Sequence, residues 1–219
     1  MKRILPLAAL LTLIGSPLFA QTFPQEPENH AVVVERLMRY HDYGEYDREI
    51  REVANSARDY LDGVVKSAPK QDKLAAVFDI DETSLSNWAA MADCGFCSYS
   101  VQQKLYPMDH DPAIVPVLEL YNFAKSKGVA VFFLTGRTES QRDVTARNLT
   151  EAGYSGWAEL MMRPDNDKDP ASVFKPGRRQ IIVDRGYRIV LNIGDQASDL
   201  AGCCAERAFK IPDPFYLVK

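Results

Sequence analysis

LAAVFDIDET, residues 74–83, sets a short apolar run directly against three acidic residues, Asp79, Asp81 and Glu82. An apolar run of this length, stopped abruptly by polar residues, reads as a strand buried on both faces. The same texture returns in VAVFFLTG (129–136), AELMMR (158–163), RIVLNIG (188–194) and RAFKIP (207–212). Helical patterns fill the gaps at about 112–127, 138–152, 176–186 and 196–205. Strand alternating with helix predicts an α/β fold built on a doubly wound parallel sheet. Upstream, Val33, Val34, Leu37 and Met38, then Ile50, Val53, Ala57, Leu61 and Val64, recur at helical spacing on either side of Gly44, so two N-terminal helices precede the sheet. Residues 86–111 break the alternation just after the first strand. They hold Trp88, Phe96, Tyr99, Tyr106 and two cysteines, and are expected to form a small inserted cap.

Ligands of open parallel sheets bind beyond the carboxyl ends of the strands, where loops and helix N-termini converge. The first strand ends in Asp79-Ile80-Asp81-Glu82-Thr83, the second in Thr135-Gly136-Arg137, and the fourth in Gly194-Asp195 with Asp199 shortly after. One Asp after one strand is ordinarily a helix cap or a solvated loop residue. Acidic or hydroxyl groups after three strands are a different matter. Carboxylates gathered at one edge repel one another unless a cation neutralises them, and an all-oxygen donor set selects a hard ion, of which Mg2+ fits best.

Asp79-Ile80-Asp81-Glu82-Thr83 matches the D-x-D-x-T signature of the haloacid dehalogenase-like phosphatases, Thr135 stands where their second motif has Ser or Thr, and Gly194-Asp195 with Asp199 matches their acidic fourth motif. FDIDET, FFLTGR and GYRIVLNIGDQASDL further resemble the acid phosphatase branch that includes bacterial class B and class C enzymes and plant vegetative storage proteins, over roughly residues 30–219. The resemblance implies a magnesium-dependent phosphomonoesterase acting on small organic phosphates, nucleotides being one candidate class. Asp79 would be the nucleophile that becomes an aspartyl-phosphate. Asp81 would protonate the leaving oxygen and later activate water. Family dehalogenases lack that second Asp and the metal. Mg2+ would be held by Asp79, the backbone carbonyl of Asp81 and Asp195, with Asp199 a ligand or a partner of one. Thr135 and the Gly136 amide would bind phosphate oxygens. Lys175, with Lys168 as its rival, would neutralise the transferring group. Arg137 is either a phosphate contact or a salt-bridge partner. Trp88, close to the D-x-D loop, is a candidate to stack on a nucleoside base, against the ordinary reading of such residues as cap core. Two other functions share these motifs: a storage or binding protein that keeps the fold without the chemistry, and phosphotransfer to an alcohol.

The 219 residues are 46% apolar and 26% charged, the balance of a globular protein, and the formal charge of −4 argues against a nucleic-acid polymer as partner. Residues 1–20 have the layout of a secretory signal: Lys2 and Arg3, an apolar run over 4–14, then Gly15, Ser16, Pro17 and Ala20. The run is too short to span a bilayer, and no cysteine lies near the expected cut to carry a lipid anchor. The expectation is a periplasmic or secreted protein with a flexible leader at 21–29 and one domain over 30–219. Export favours disulfides among Cys94, Cys97, Cys203 and Cys204. Adjacent cysteines bridge each other only with strain, so pairs between Cys203 or Cys204 and the other two are expected. Cys94-x-x-Cys97 could also be a redox pair or half a zinc site, but no second such pair accompanies it, and His30, His41 and His110 form no spaced ligand set.

Overall fold

The structure, a computed structural model, describes residues 26–98, 101, 102, 104 and 108–218. The secretory signal at 1–20, most of the leader, and Tyr99 and Tyr106 lie outside the described residues. Two helices, α1 (His30–Asp42) and α2 (Glu45–Ser67), are joined at Gly44, whose left-handed φ of 78° suits a residue without Cβ. Then come β1 (Lys73–Phe78), α3 (Trp88–Asp93), α4 (Val115–Ser126), β2 (Ala130–Thr138), α5 (Arg142–Glu151), β3 (Glu159–Arg163), α6 (Ala171–Asp184), β4 (Tyr187–Gly194), a single turn α7 (Ala197–Leu200) and β5 (Ala208–Lys210).

All strand pairs are parallel, in the order β3-β2-β1-β4-β5. The chain steps outward from β1 to β3, then returns to the other side of β1 for β4, so the direction of winding reverses between β1 and β4. In such a sheet the crevice at that reversal is the place for a ligand. Register decides what meets there. Phe78 of β1 pairs with Phe133 of β2 and with Ile193 of β4, so the residues that follow all three leave the sheet at one level. The Asp79 amide continues the ladder, donating to the Ile193 carbonyl at 3.0 Å.

Period-two alternation sends Ala76 and Phe78 to one face and Ala75 and Val77 to the other. The first face packs on α2 through Ile50, Ala57 and Leu61 and on α4 through Val117, Leu120 and Tyr121; the second packs on α6 through Phe174 and Ile182. Each fully buried side chain of this size contributes roughly 1.5–3 kcal/mol.

Of the segment predicted as a cap, residues 99, 100, 103 and 105–107 lie outside the described residues. Its two ends are zipped together, the Ser86 amide donating to Pro112 O at 2.9 Å and the Ile114 amide to Ser84 O at 3.0 Å. Within it α3 carries Trp88, stacked on His41 at 3.7 Å between ring centres and set edge-on to Phe215 at 4.9 Å. Rings from α1, α3 and the C-terminal tail thus form one cluster that fixes the insert against the body.

Two expectations fail. The helix predicted over 196–205 stops at Leu200. The buried Arg179 guanidinium takes the carbonyls of Asp199, Ala201 and Cys203, and Gly202 turns the chain at a φ of 79°, so those carbonyls serve a side chain rather than a helix. The cysteines pair locally, Cys94 with Cys97 and Cys203 with Cys204, instead of across. Cys94 and Cys97 sit in the turn that ends α3 with Cα atoms 5.5 Å apart, within bridging range, while Cys203 and Cys204 lie beside Gln180 of α6.

Candidate active site

Asp79, Asp195 and Asp199 are all buried, and one carboxylate oxygen of each lies within 4.8 Å of the others. Lys175, in the second turn of α6, reaches this group. Its Nζ is 2.5 Å from Asp79 Oδ1 and 2.5 Å from Asp199 Oδ1. Lys168, the rival candidate, is exposed. Gly194 is required for the approach: a Cβ there would lie 2.5 Å from the Asp199 Cβ. The other Asp199 oxygen accepts the Gln196 amide at 2.8 Å.

Burial, with the Asp199 charge added, raises the Asp79 carboxyl well above the ordinary range; Lys175 offsets part of this. Burial likewise raises Asp195, with Asp199 and Asp213 adding to it. Burial alone would pull the Lys175 ammonium down, but Asp199 and Asp79 together outweigh it and hold it above its usual value. Three buried carboxylates against one ammonium leave an excess of negative charge among oxygen donors. That is the charge balance and donor chemistry a divalent cation satisfies.

Around these groups stand residues whose roles the sequence did not announce. Thr83 Oγ1 donates to Asp195 Oδ1 at 3.0 Å, and Gln196 Nε2 to Asp195 Oδ2 at 2.7 Å. The same Gln196 nitrogen donates to Asp213 Oδ2 at 2.5 Å, which ties Asp195 to the C-terminal tail. Burial pushes Asp213 up to about 7. The Tyr216 hydroxyl points to the Asp81 carbonyl at 3.5 Å. A cavity of about 230 Å³ opens over the group, lined by Asp79, Asp81, Gly136, Arg163, Lys175 and Tyr216 among others.

The sequence candidates therefore separate. Asp79, Asp81, Gly136, Lys175 and Asp199 line one cavity, and Asp195 joins Asp79 and Asp199 beneath it. Thr135, next to Gly136 in β2, is fully buried and is not among the residues lining that cavity, its Oγ1 accepting the Arg137 amide at 3.0 Å. Trp88 does not join them. With one ring face on His41 and an edge against Phe215, it lines a separate cavity with Tyr46 and Pro112, so base stacking by Trp88 over Asp79 is corrected to a packing role. Arg137 resolves as a salt-bridge partner, its Nη2 2.7 Å from Asp81 Oδ1.

Glu82 has a separate part. It is fully buried at a left-handed φ of 48°, and its carboxylate accepts the Tyr46 hydroxyl at 2.7 Å, the Ser86 hydroxyl at 3.2 Å and the Asn87 amide, so it shapes the loop between β1 and the insert. Burial raises it from 4.5 to about 7 despite those donors. The folded protein therefore holds a proton that the unfolded chain has released between pH 4.5 and 7. Stability from this group is present below pH 4.5 and is lost as pH rises through about 7. In EDTA, Glu82 should account for a loss on the order of 3 kcal/mol across that window, beside the losses from Asp79, Asp195 and Asp213, and Glu82→Gln should reduce the slope of thermal or urea unfolding against pH by that share. An unchanged slope in the variant would show that Glu82 does not contribute to the profile.

A family model described as HAD superfamily, subfamily IIIB (acid phosphatase) matches residues 16–219. The chain is 36% identical over 182 residues to Acid phosphatase 1 of Solanum lycopersicum, which covers 79% of this chain and 69% of that one. It is 30% identical over 180 residues to Vegetative storage protein 1 of Arabidopsis thaliana, covering 80% and 66%. Among solved structures, the class C acid phosphatase from Bacillus anthracis matches with a TM-score of 0.68 at 21% identity, over 85% of this chain and 86% of that one, a likeness of fold.

Proposed function

The chain belongs to subfamily IIIB of the HAD superfamily, the acid phosphatases, and on that premise we propose that it is an exported, magnesium-dependent phosphomonoesterase of small organic phosphates that works through an aspartyl-phosphate. The observation that carries this reading is the convergence of Asp79, Lys175, Asp195 and Asp199 below one cavity, with Asp81 and Gly136 on its wall. Asp79 attacks phosphorus in line while the ester oxygen departs, and the covalent intermediate divides one difficult displacement into two. Lys175 neutralises charge on Asp79 and on the incoming phosphoryl oxygens. Asp81 supplies the proton to the leaving oxygen and takes one from the water that hydrolyses the intermediate. Thr135 and the Gly136 amide hold phosphoryl oxygens at the end of β2.

Asp79, Asp195 and Asp199, with the Asp81 carbonyl, would hold Mg2+, which when bound supplies the positive charge that lets a dianionic ester approach a carboxylate. The cavity of about 230 Å³ suits a phosphoryl group with a small alcohol portion. Export rests on residues 1–20, and no helix of the described residues is long and apolar enough to cross a membrane. The presence of Asp79 favours catalysis over storage.

The test is release of phosphate from an aryl phosphate by the purified protein. Activity should depend on Mg2+, fall at least about 100-fold in EDTA and return when Mg2+ is restored in excess. Hydrolysis indifferent to EDTA would overturn the proposed mechanism.

A further inference from the structure

We propose that Arg137 is a positioning residue for Asp81, holding its carboxyl where it can serve the departing ester oxygen, and that it makes no contact with substrate. The proposal rests on the reading of Asp81 as proton donor given above.

The Arg137 side chain is 0% exposed. A guanidinium has five N–H donors, and each one left unpaired in the interior costs free energy. All five find protein acceptors. Nε lies 3.2 Å from Asp81 Oδ1 and 3.3 Å from Oδ2, and Nη2 lies 2.7 Å from Asp81 Oδ1 and 3.3 Å from Asp111 Oδ2. Nη1 lies 3.1 Å from Met108 O and 3.4 Å from Thr145 Oγ1. With its donors so engaged, the group has none to give a phosphate oxygen without breaking a contact inside the protein.

The acceptors are themselves anchored. Asn148 of α5 clasps Asp111 on both sides, receiving its amide at 3.1 Å and donating to its carbonyl at 2.8 Å. The fork is thus fixed by β2, α5 and the end of the insert before it touches Asp81. Its hold on Asp81 is unequal: Oδ1 takes the two shorter contacts and Oδ2 only the one at 3.3 Å. The fork also restrains the Asp81 carboxyl from swinging toward Asp79, Asp195 and Asp199, where a cation would draw in a fourth carboxylate. A planar bidentate donor fixes the orientation of both oxygens; an ammonium fixes only distance.

The experiment compares kcat/KM for esters of rising leaving-group basicity, from 2,4-dinitrophenyl phosphate to an alkyl phosphate such as glycerol phosphate, in wild type, Arg137→Lys and Asp81→Asn with saturating Mg2+. The dinitrophenolate leaves without a proton and the alkoxide does not. Asp81→Asn should lose about 100-fold on the alkyl ester and under about 3-fold on the dinitrophenyl ester. Arg137→Lys, although it keeps the charge, should show the same slope, with Ki for inhibition by inorganic phosphate little changed. A loss in Arg137→Lys equal for every ester, beside a sloped Asp81→Asn, would overturn the positioning role and leave Asp81 as the acid. A flat Asp81→Asn series would remove the acid reading itself, and the proposal with it. Should Arg137→Lys not fold, Thr145→Val, which removes one anchor of the fork, should give a weaker slope of the same sign, and a flat series there would count against the proposal.

Discussion

Asp79→Asn is expected to lower kcat by at least about 10⁴-fold, because Asp79 is the nucleophile of the mechanism proposed above and removing a nucleophile abolishes the covalent route. The same substitution should make the metal-free protein more stable. In EDTA at pH 7–8, Asp79 lies buried beside Asp195 and Asp199, with one ammonium among three carboxylates. Its raised folded pKa is a penalty that appears as pH rises past the unfolded value of 3.8. Removing that charge should therefore raise unfolding free energy by about 1–2 kcal/mol at neutral pH and leave it little changed near pH 4. The checks are steady-state kinetics with Mg2+ and urea unfolding in EDTA. A variant less stable than wild type in EDTA would contradict the picture of mutually repelling carboxylates.

Lys175→Met should move both quantities downward. The side chain is 5% exposed and its ammonium is shared by Asp79 and Asp199. Deleting one partner of a buried ion pair leaves uncompensated charge, at a cost of about 3–5 kcal/mol. Unfolding in EDTA should show that loss, and excess Mg2+ should recover part of it by replacing the missing charge. Turnover should fall by about 10³-fold, and Lys175→Arg should not restore it, since the planar guanidinium does not fit a space shaped for a point charge shared by two oxygens. The opposite signs expected for Asp79→Asn and Lys175→Met separate charge balance from packing, because loss of packing alone would destabilise both. Wild-type stability of Lys175→Met in EDTA would show that the ammonium does not neutralise the cluster.

Much of the architecture could be read along the chain because it depends on local periodicity. The apolar runs at 74–80, 129–136, 158–163 and 188–194 became β1 to β4 within about two residues, as alternation and abrupt polar stops determine where a buried strand ends. Asp79 and Asp195 were legible for the same reason: each directly follows a strand, Asp199 stands one turn of helix beyond Asp195, and parallel strands place such residues at one edge. Helix 196–205 was misread because its apolar pattern carries no sign that Arg179, on a different helix, claims the carbonyls.

What remained hidden is pairwise and long-range. Thr83 meets Asp195 across 112 residues, Lys175 meets Asp79 across 96, and Arg137 meets Asp81 across 56. The sequence alone determined that strands would deliver acids and a threonine to a common edge, since that follows from the order of apolar and polar residues within each segment. Only the tertiary structure decided that Lys175 rather than Lys168 enters, that Arg137 turns to Asp81, that Trp88 packs away from the cavity, and that Asp213 reaches Asp195 through Gln196. Those outcomes depend on the register between strands and on the rotation of each helix against the sheet, and neither is a property of any one segment.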